Sequence, residues 1–280
     1  METFRGKLLA LSLFLLTCLT TTGAGALLAG HDPLSSLAGF TSGIPYSFTL
    51  MLVLTAHEAG HYFVARRYGV ASPLPWFIPA PTLIGTFGAV IRLPRLPGSR
   101  IALFDIALAG PLAGLVPSVV ALAVGIRLST SLPGGSPPAS GMEIGESLLF
   151  RLLEWVFSTG TSEHSTLLLS PVGFAGWVGL LVTALNLMPV GQLDGGHLAW
   201  ALLGVRARRL LWVVFPMLLY LGYRGWKGWW IWAVLLLLMG VSHPELSVDA
   251  GRLPFSRIAW GVAALVIEIL VFVPDPLRFV

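Results

Sequence analysis

Charge is what this sequence has least of. Charged residues make up 11% of 280 positions and hydrophobic residues 55%, with a mean hydropathy of +0.83. A soluble domain carries about 25% charged residues, so a chain this poor in charge cannot clothe itself in water. That excludes an ordinary soluble domain and points to a helical membrane bundle. Cysteine is nearly absent as well. A single residue, Cys18, rules out a disulfide within the chain and a cysteine-based zinc site. No internal repeat is visible, and no basic tail or stripe of the kind that binds nucleic acid. The formal charge of +4 therefore reads as a signal of topology.

What is present is a series of apolar runs. Seven segments approach the roughly 20 residues that a spanning helix needs: residues 8–28, 44–68, 101–126, 167–188, 209–223, 229–241 and 258–273. The fifth and sixth are short, and either form a tight hairpin or cross only in part. Arg5 and Lys7 ahead of the first run, with Ala24-Gly25-Ala26 near its end, also fit a signal peptide. The run continues past those small residues, which favours a retained helix. With the amino terminus inside, 12 of the 17 Lys and Arg fall on inner segments and 5 on outer ones, as the positive-inside rule requires. Glu143, Glu146, Glu154 and Glu163 fall in the outer stretch 127–166. That stretch is polar, carries a Gly/Pro/Ser tip at 131–140, and is too short for an added domain.

The expected architecture is an all-α polytopic membrane protein of six to seven transmembrane helices. Its parts are an amino-terminal helix and outer loop (1–43), a core (44–200) and carboxy-terminal helices (201–280). Residues 69–100 are rich in proline and glycine yet apolar, and 83–93 read as a short strand or hairpin between the second and third spans. Irregular backbone at membrane depth survives only inside protein or beside a wet cavity.

The chemistry begins at His57-Glu58-Ala59-Gly60-His61. On a helix the i, i+4 spacing puts both imidazoles on one face, able to share one Zn²⁺, with Glu58 beside the metal to take a proton from its water. The five-residue pattern alone is weak. Inside an apolar span it gains weight, because a carboxylate alone costs about 3 kcal/mol at the centre of a span, and two imidazoles add to it, unless they are paired or ligated. The bland alternative is a polar cluster that only locks helices together. A catalytic zinc wants a third protein ligand, and Asp105, Asp194, His197, Glu268, His164 and His243 are the candidates. Asp194 lies in Asn186-Leu187-Met188-Pro189-Val190-Gly191-Gln192-Leu193-Asp194-Gly195-Gly196-His197, where Pro189 ends a helix and two glycines allow a close turn. Asp105 reads as a carboxylate in the first helical turn, capping or supporting the site. Glu268, mid-span, faces protein, snorkels or pairs with an arginine. The tryptophans between 226 and 232 read as an interface belt.

These motifs, with residues 103–114 (LeuPheAspIleAlaLeuAlaGlyProLeuAlaGly) and Gly85-Thr86-Phe87-Gly88, resemble the site-2 protease family of intramembrane zinc metalloproteases. The likeness covers roughly residues 44–200 and is nearest the compact branch without a PDZ or CBS domain, which includes plastid proteins and bacterial counterparts. The resemblance implies His57, His61 and Asp194 as ligands of one Zn²⁺ and Glu58 as general base. It implies Asn186 near the scissile peptide as an oxyanion partner, and a strand edge over Gly85, Thr86, Phe87 and Gly88 that receives substrate. Asp105 and His197 are expected around the ligands. The expected partners are a transmembrane protein substrate and the lipid bilayer. A bacterial plasma membrane, with the amino terminus and the site opening cytoplasmic, completes the expectation. The rivals are an intramembrane metal transporter, which needs ligands strung through both leaflets, and a catalytically silent scaffold.

Overall fold

The structure, a computed structural model, describes residues 4–91, 99–132, 142–158, 166–239 and 253–279. Helix α1 (Phe4–Leu28) is followed by a short α2 (Leu37–Thr41) and by α3 (Ile44–Arg67). A hairpin of β1 (Trp76–Pro79) and β2 (Thr86–Val90) leads to α4 (Arg100–Arg127). Beyond it come β3 (Thr130–Leu132), β4 (Met142–Ile144), α5 (Leu148–Phe157) and β5 (Thr166–Leu168). Then follow α6 (Pro171–Leu187), α7 (Asp194–Leu203), a 3-10 stretch (Gly204–Leu210), α8 (Leu211–Arg224), α9 (Gly228–Met239), α10 (Phe255–Val271) and β6 (Leu277–Phe279).

Three helical stretches are long and apolar enough to cross a membrane: α1, the run Leu37–Arg67 and α4. The other helices over the expected spans are shorter, α6 and α10 at 17 residues, α8 at 14 and α9 at 12. Length and composition thus support three crossings among the described residues, where six to seven were expected. The fourth span begins at Pro171 rather than at residue 167 because Ser170 caps it, accepting from the Gly173 amide. Residues 166–168 pair with β3 instead.

Helix α4 is the hub and packs on α3, α6 and α7. Lipid gives apolar helices no hydrophobic reason to associate, so close packing through small residues takes over. A Cβ on Gly125 would stand 2.0 Å from the Gly173 Cα, and one on Gly43 would stand 1.9 Å from the Thr22 carbonyl oxygen. Backbones therefore touch where α4 meets α6 and where α1 meets the start of α3. The Thr21 and Ser47 hydroxyls, 2.7 Å apart, add a polar link between α1 and α3.

The hairpin lies slightly earlier than expected. Its strands are antiparallel, with Trp76 opposite Val90 and Phe77 opposite Ala89 and an irregularity before Pro79. The first strand hides in the proline-rich stretch, tolerable because proline sits at an edge. Its turn is fastened to the bundle: Thr20 Oγ1 donates to the Gly85 carbonyl at 2.7 Å, and the Tyr46 hydroxyl donates to the Ile84 carbonyl at 2.9 Å. Phe14 of α1 meets Phe77 edge-on at 5.0 Å.

The stretch 127–166, expected on the outer side, is not a plain polar loop. It holds the amphipathic α5, capped by Ser147 accepting from the Phe150 amide, and strands that pair β3 with β5 and β4 with β6. At the carboxy-terminal side, α8 and α9 form a tight hairpin closed by Lys227 donating to the Gly222 carbonyl at 3.0 Å. Trp229 is not part of an interface belt. It is buried, stacks on Phe272 and donates to the Pro274 carbonyl at 2.7 Å. Arg92, Arg95 and Arg252 of the charge count, residues 133–140 of the Gly/Pro/Ser tip, Glu163, His164 and His243 lie outside the described residues.

Candidate metal centre

His57 and His61 sit one turn apart in α3 with Glu58 next to the first, all three buried at exposures of 4%, 9% and 5% respectively. Room for the two rings comes from α4. A Cβ on Gly110 would lie 2.0 Å from His61 Nε2, and one on Gly114 would lie 3.0 Å from the His57 Cβ. Any side chain at 110 would thus occupy the space of the imidazole. His61 Nδ1 lies 2.8 Å from the Ile106 carbonyl oxygen. A carbonyl only accepts, so Nδ1 carries the proton and Nε2 presents its lone pair to the site, the usual way a ligand histidine is oriented.

Asp194 arrives from the far side of the core. α6 ends at Leu187, the chain reverses through Met188–Leu193, and Asp194 is the first residue of α7. Gly191, at φ +62°, supplies the left-handed step of the reversal. A Cβ on Gly195 would fall 1.9 Å from the Leu187 carbonyl oxygen, so the chain can turn back on α6 only with glycine there. Arg100, at the start of α4, donates to the Ala201 carbonyl from Nε at 3.1 Å and from Nη2 at 2.7 Å. A cation at the carbonyl end of α7 suits the helix dipole and holds the Asp194 helix against α4.

The three side chains converge. His57 Nε2 and His61 Nε2 are 3.1 Å apart, and Asp194 Oδ2 lies 3.3 and 3.2 Å from them. Atoms spaced this way form one face of a tetrahedron whose centre is about 2.0 Å from each, the bond length zinc takes to imidazole nitrogen and carboxylate oxygen. Among the described residues these three are the group of His, Cys, Asp and Glu side chains able to hold a metal ion. Asn186 Nδ2 is 3.4 Å from His57 Nε2. All of them, with Glu58 and His197, line a cavity of about 220 Å³, which Ala89, Val90 and Ile91 also border. A second hollow of about 360 Å³ shares Glu58 and is otherwise lined by residues such as Leu11, Phe14, Ala59, Tyr62 and Phe77.

Several expected residues fall elsewhere. Gly85, Thr86, Phe87 and Gly88 lie outside the lining of the metal cavity, which the hairpin meets one step later, at 89–91. Thr86 is buried and its hydroxyl donates to the Ile78 carbonyl. Asp105 is not in the first turn of α4, which starts at Arg100. It is bound instead by Tyr68, just past α3, and by Arg257 of α10. The hydrogen bond to Asp105 holds the Tyr68 hydroxyl protonated above the usual phenol range. Glu268 is half-buried in α10, where Oε2 has no hydrogen-bond partner among the described residues. Sequence reasoning missed Gly110 and Gly114 as seats for the imidazoles. Their place in Ala109-Gly110-Pro111 and Ala113-Gly114, four apart like the histidines, was the available signal.

An HExxH helix and a distant aspartate meeting within a bundle of apolar helices form a candidate metal centre with a carboxylate beside it. The chain belongs to peptidase family M50, whose sequence profile matches residues 45–221. It is 28% identical over 262 residues to the probable zinc metalloprotease EGY2, chloroplastic, of Arabidopsis thaliana, covering 90% of this chain and 45% of that protein. It is 36% identical over 169 residues to the probable zinc metalloprotease EGY1, chloroplastic, of the same plant, covering 59% and 31% respectively. The EGY1 protein of Oryza sativa subsp. japonica is 35% identical over 159 residues, 56% of this chain and 27% of that one. The chain thus spans less than half the length of these relatives. No solved structure matches it.

Proposed function

We propose that this chain is an intramembrane zinc metalloprotease that hydrolyses peptide bonds of membrane-spanning proteins, in the manner of regulated intramembrane proteolysis. The observation that carries the reading is the triangle of His57 Nε2, His61 Nε2 and Asp194 Oδ2, with edges of 3.1–3.3 Å, beside Glu58. These three residues would hold the ion. Bound zinc supplies a water that ionises near neutral pH and a Lewis acid for the scissile carbonyl. Glu58 would serve as the base toward a water at that point and would return the proton to the leaving amide nitrogen. Asn186, beside His57, donates from Nδ2 toward the oxygen on which charge develops. Among the described residues β2 pairs with β1 alone, and its Ala89 and Val90 border the cavity, so its other edge would receive an unwound substrate segment as an added strand.

The three candidate ligands gather at one point, which suits chemistry better than passage of an ion through two leaflets. The apolar hollow on the other wall of Glu58 suits a substrate arriving from lipid. The bilayer is the setting. The relatives named above are chloroplast proteins of plants, so the expected bacterial plasma membrane has no counterpart among them. A cytoplasmic, or equivalently inner, placement of the amino terminus rests on the arginine distribution alone.

The test is Glu58→Gln in purified, membrane-reconstituted protein. Zinc content per chain should match the wild type, while cleavage falls by about 10²–10⁴-fold, the share a general base supplies. Cleavage at the wild-type rate would remove Glu58 as the base. Wild-type protein that holds no zinc would remove the enzyme reading.

A further inference from the structure

Three helices meet at the carboxylate of Asp105. Arg257, in the first turn of α10, donates from Nη2 to Oδ2 at 3.1 Å and from Nε to Oδ1 at 3.3 Å, a two-pronged grip. The Tyr68 hydroxyl donates to Oδ2 at 2.5 Å. The side chains of Arg257 and Asp105 are 35% and 23% exposed, so this is not a pair loose in solvent of the kind that contributes almost nothing. The next residue along α4, Ile106, is the one whose carbonyl accepts from His61 Nδ1. Tyr68 itself lies seven residues beyond His61 at the end of the same helix. The Asp105 grip thus ties together the helix that carries His61 and the peptide that orients it. Arg257 comes from outside the stretch 45–221 that matches the family.

We propose that Arg257 is a positioning residue for His61, holding Asp105 jointly with Tyr68 so that the Ile106 carbonyl stays in register with the imidazole. The inference rests on the zinc reading and deepens it, adding α10 to the elements that set the metal's affinity. The fork geometry matters, because lysine keeps the charge but cannot span both carboxylate oxygens in one plane. Removing a partner that orients a ligand histidine lowers metal affinity by about 10–100-fold. A grip one residue removed should act near the bottom of that range.

The experiment measures zinc affinity of the full chain in detergent by chelator competition, the visible spectrum after Co²⁺ loading, and the melting temperature of metal-free protein. Arg257→Met should weaken zinc binding about tenfold and shift the Co²⁺ absorption bands. Arg257→Lys should recover part of the loss. Tyr68→Phe removes one hydrogen bond without changing volume, and should weaken binding by a smaller factor. It serves as the test if Arg257→Met does not fold. A change confined to the metal-free melting temperature, with affinity within twofold of wild type and an unchanged Co²⁺ spectrum, would overturn the proposal and leave an ordinary interhelical bond. Wild-type protein that binds no zinc would overturn both the function and the positioning role, whereas normal wild-type binding with indifferent variants overturns the positioning role alone.

Discussion

Two hollows share the wall formed by Glu58, and their linings differ. One gathers His57, His61, Asn186, Asp194 and His197 on α3, α6 and α7. The other is built from Leu11 and Phe14 on α1, Ala59 and Tyr62 on α3, and Phe77 on β1. A single helix turn thus presents polar groups to one space and apolar surface to its neighbour. On the proposed function, the difference teaches how a hydrolase can work within lipid. Water needs hydrogen-bonding partners and an ion needs coordinating lone pairs, both of which the hydrocarbon lacks, while a membrane-spanning substrate needs an apolar path. Glu58 stands at the border, where both must meet.

Substitutions can break or sharpen that contrast. The largest effect is expected from Asp194→Ala, which strips the polar hollow of its third ligand. Zinc content should fall below stoichiometric and cleavage below detection, measured by metal analysis and by reconstituted assay, while circular dichroism keeps the helical signal. Retention of a full zinc would show that Asp194 is not a ligand. Next comes Gly110→Ala. Its methyl group would sit 2.0 Å from His61 Nε2, so the imidazole itself must give way and leave its place in the triangle. Zinc affinity should drop by about 10–100-fold, and equal affinity would mean that α4 does not seat the ring. The smallest effect belongs to the apolar side. Phe14→Ala widens that hollow and loses the edge-on contact with Phe77. It should change KM by a few-fold, on the order of 1 kcal/mol, with zinc affinity untouched. A loss of zinc there would merge the two hollows into one.

The sequence made the site more legible than the architecture around it. The span expected at 44–68 is α3 over Ile44–Arg67, and the one expected at 101–126 is α4 over Arg100–Arg127. Both are long apolar runs with recognisable ends, and the i, i+4 histidines are a local pattern read along one helix. Asp194 stood out through its setting of proline and glycines. What escaped is what depends on partners remote in the chain. Strand β1 is legible only once β2 pairs with it, and β6 only once β4 does. Trp229 looks like any tryptophan near a helix end until Phe272 and Pro274 enclose it. Asp105 looked like a cap because its partners, Tyr68 and Arg257, lie 37 and 152 residues away. The number of spans stayed beyond reach because hydropathy reports burial in lipid and burial in protein alike, and the helices after α4 are too short to separate the two.

The hairpin is fastened at its turn to two different helices, through Thr20 to Gly85 and through Tyr46 to Ile84. A polypeptide laid along the side of β2 away from β1 would therefore rest on a ledge that cannot retreat without breaking the hydrogen bonds from Thr20 and Tyr46. On the proposed function, this anchorage by hydroxyls on the first and third helices would set the level at which a substrate strand lies relative to Glu58.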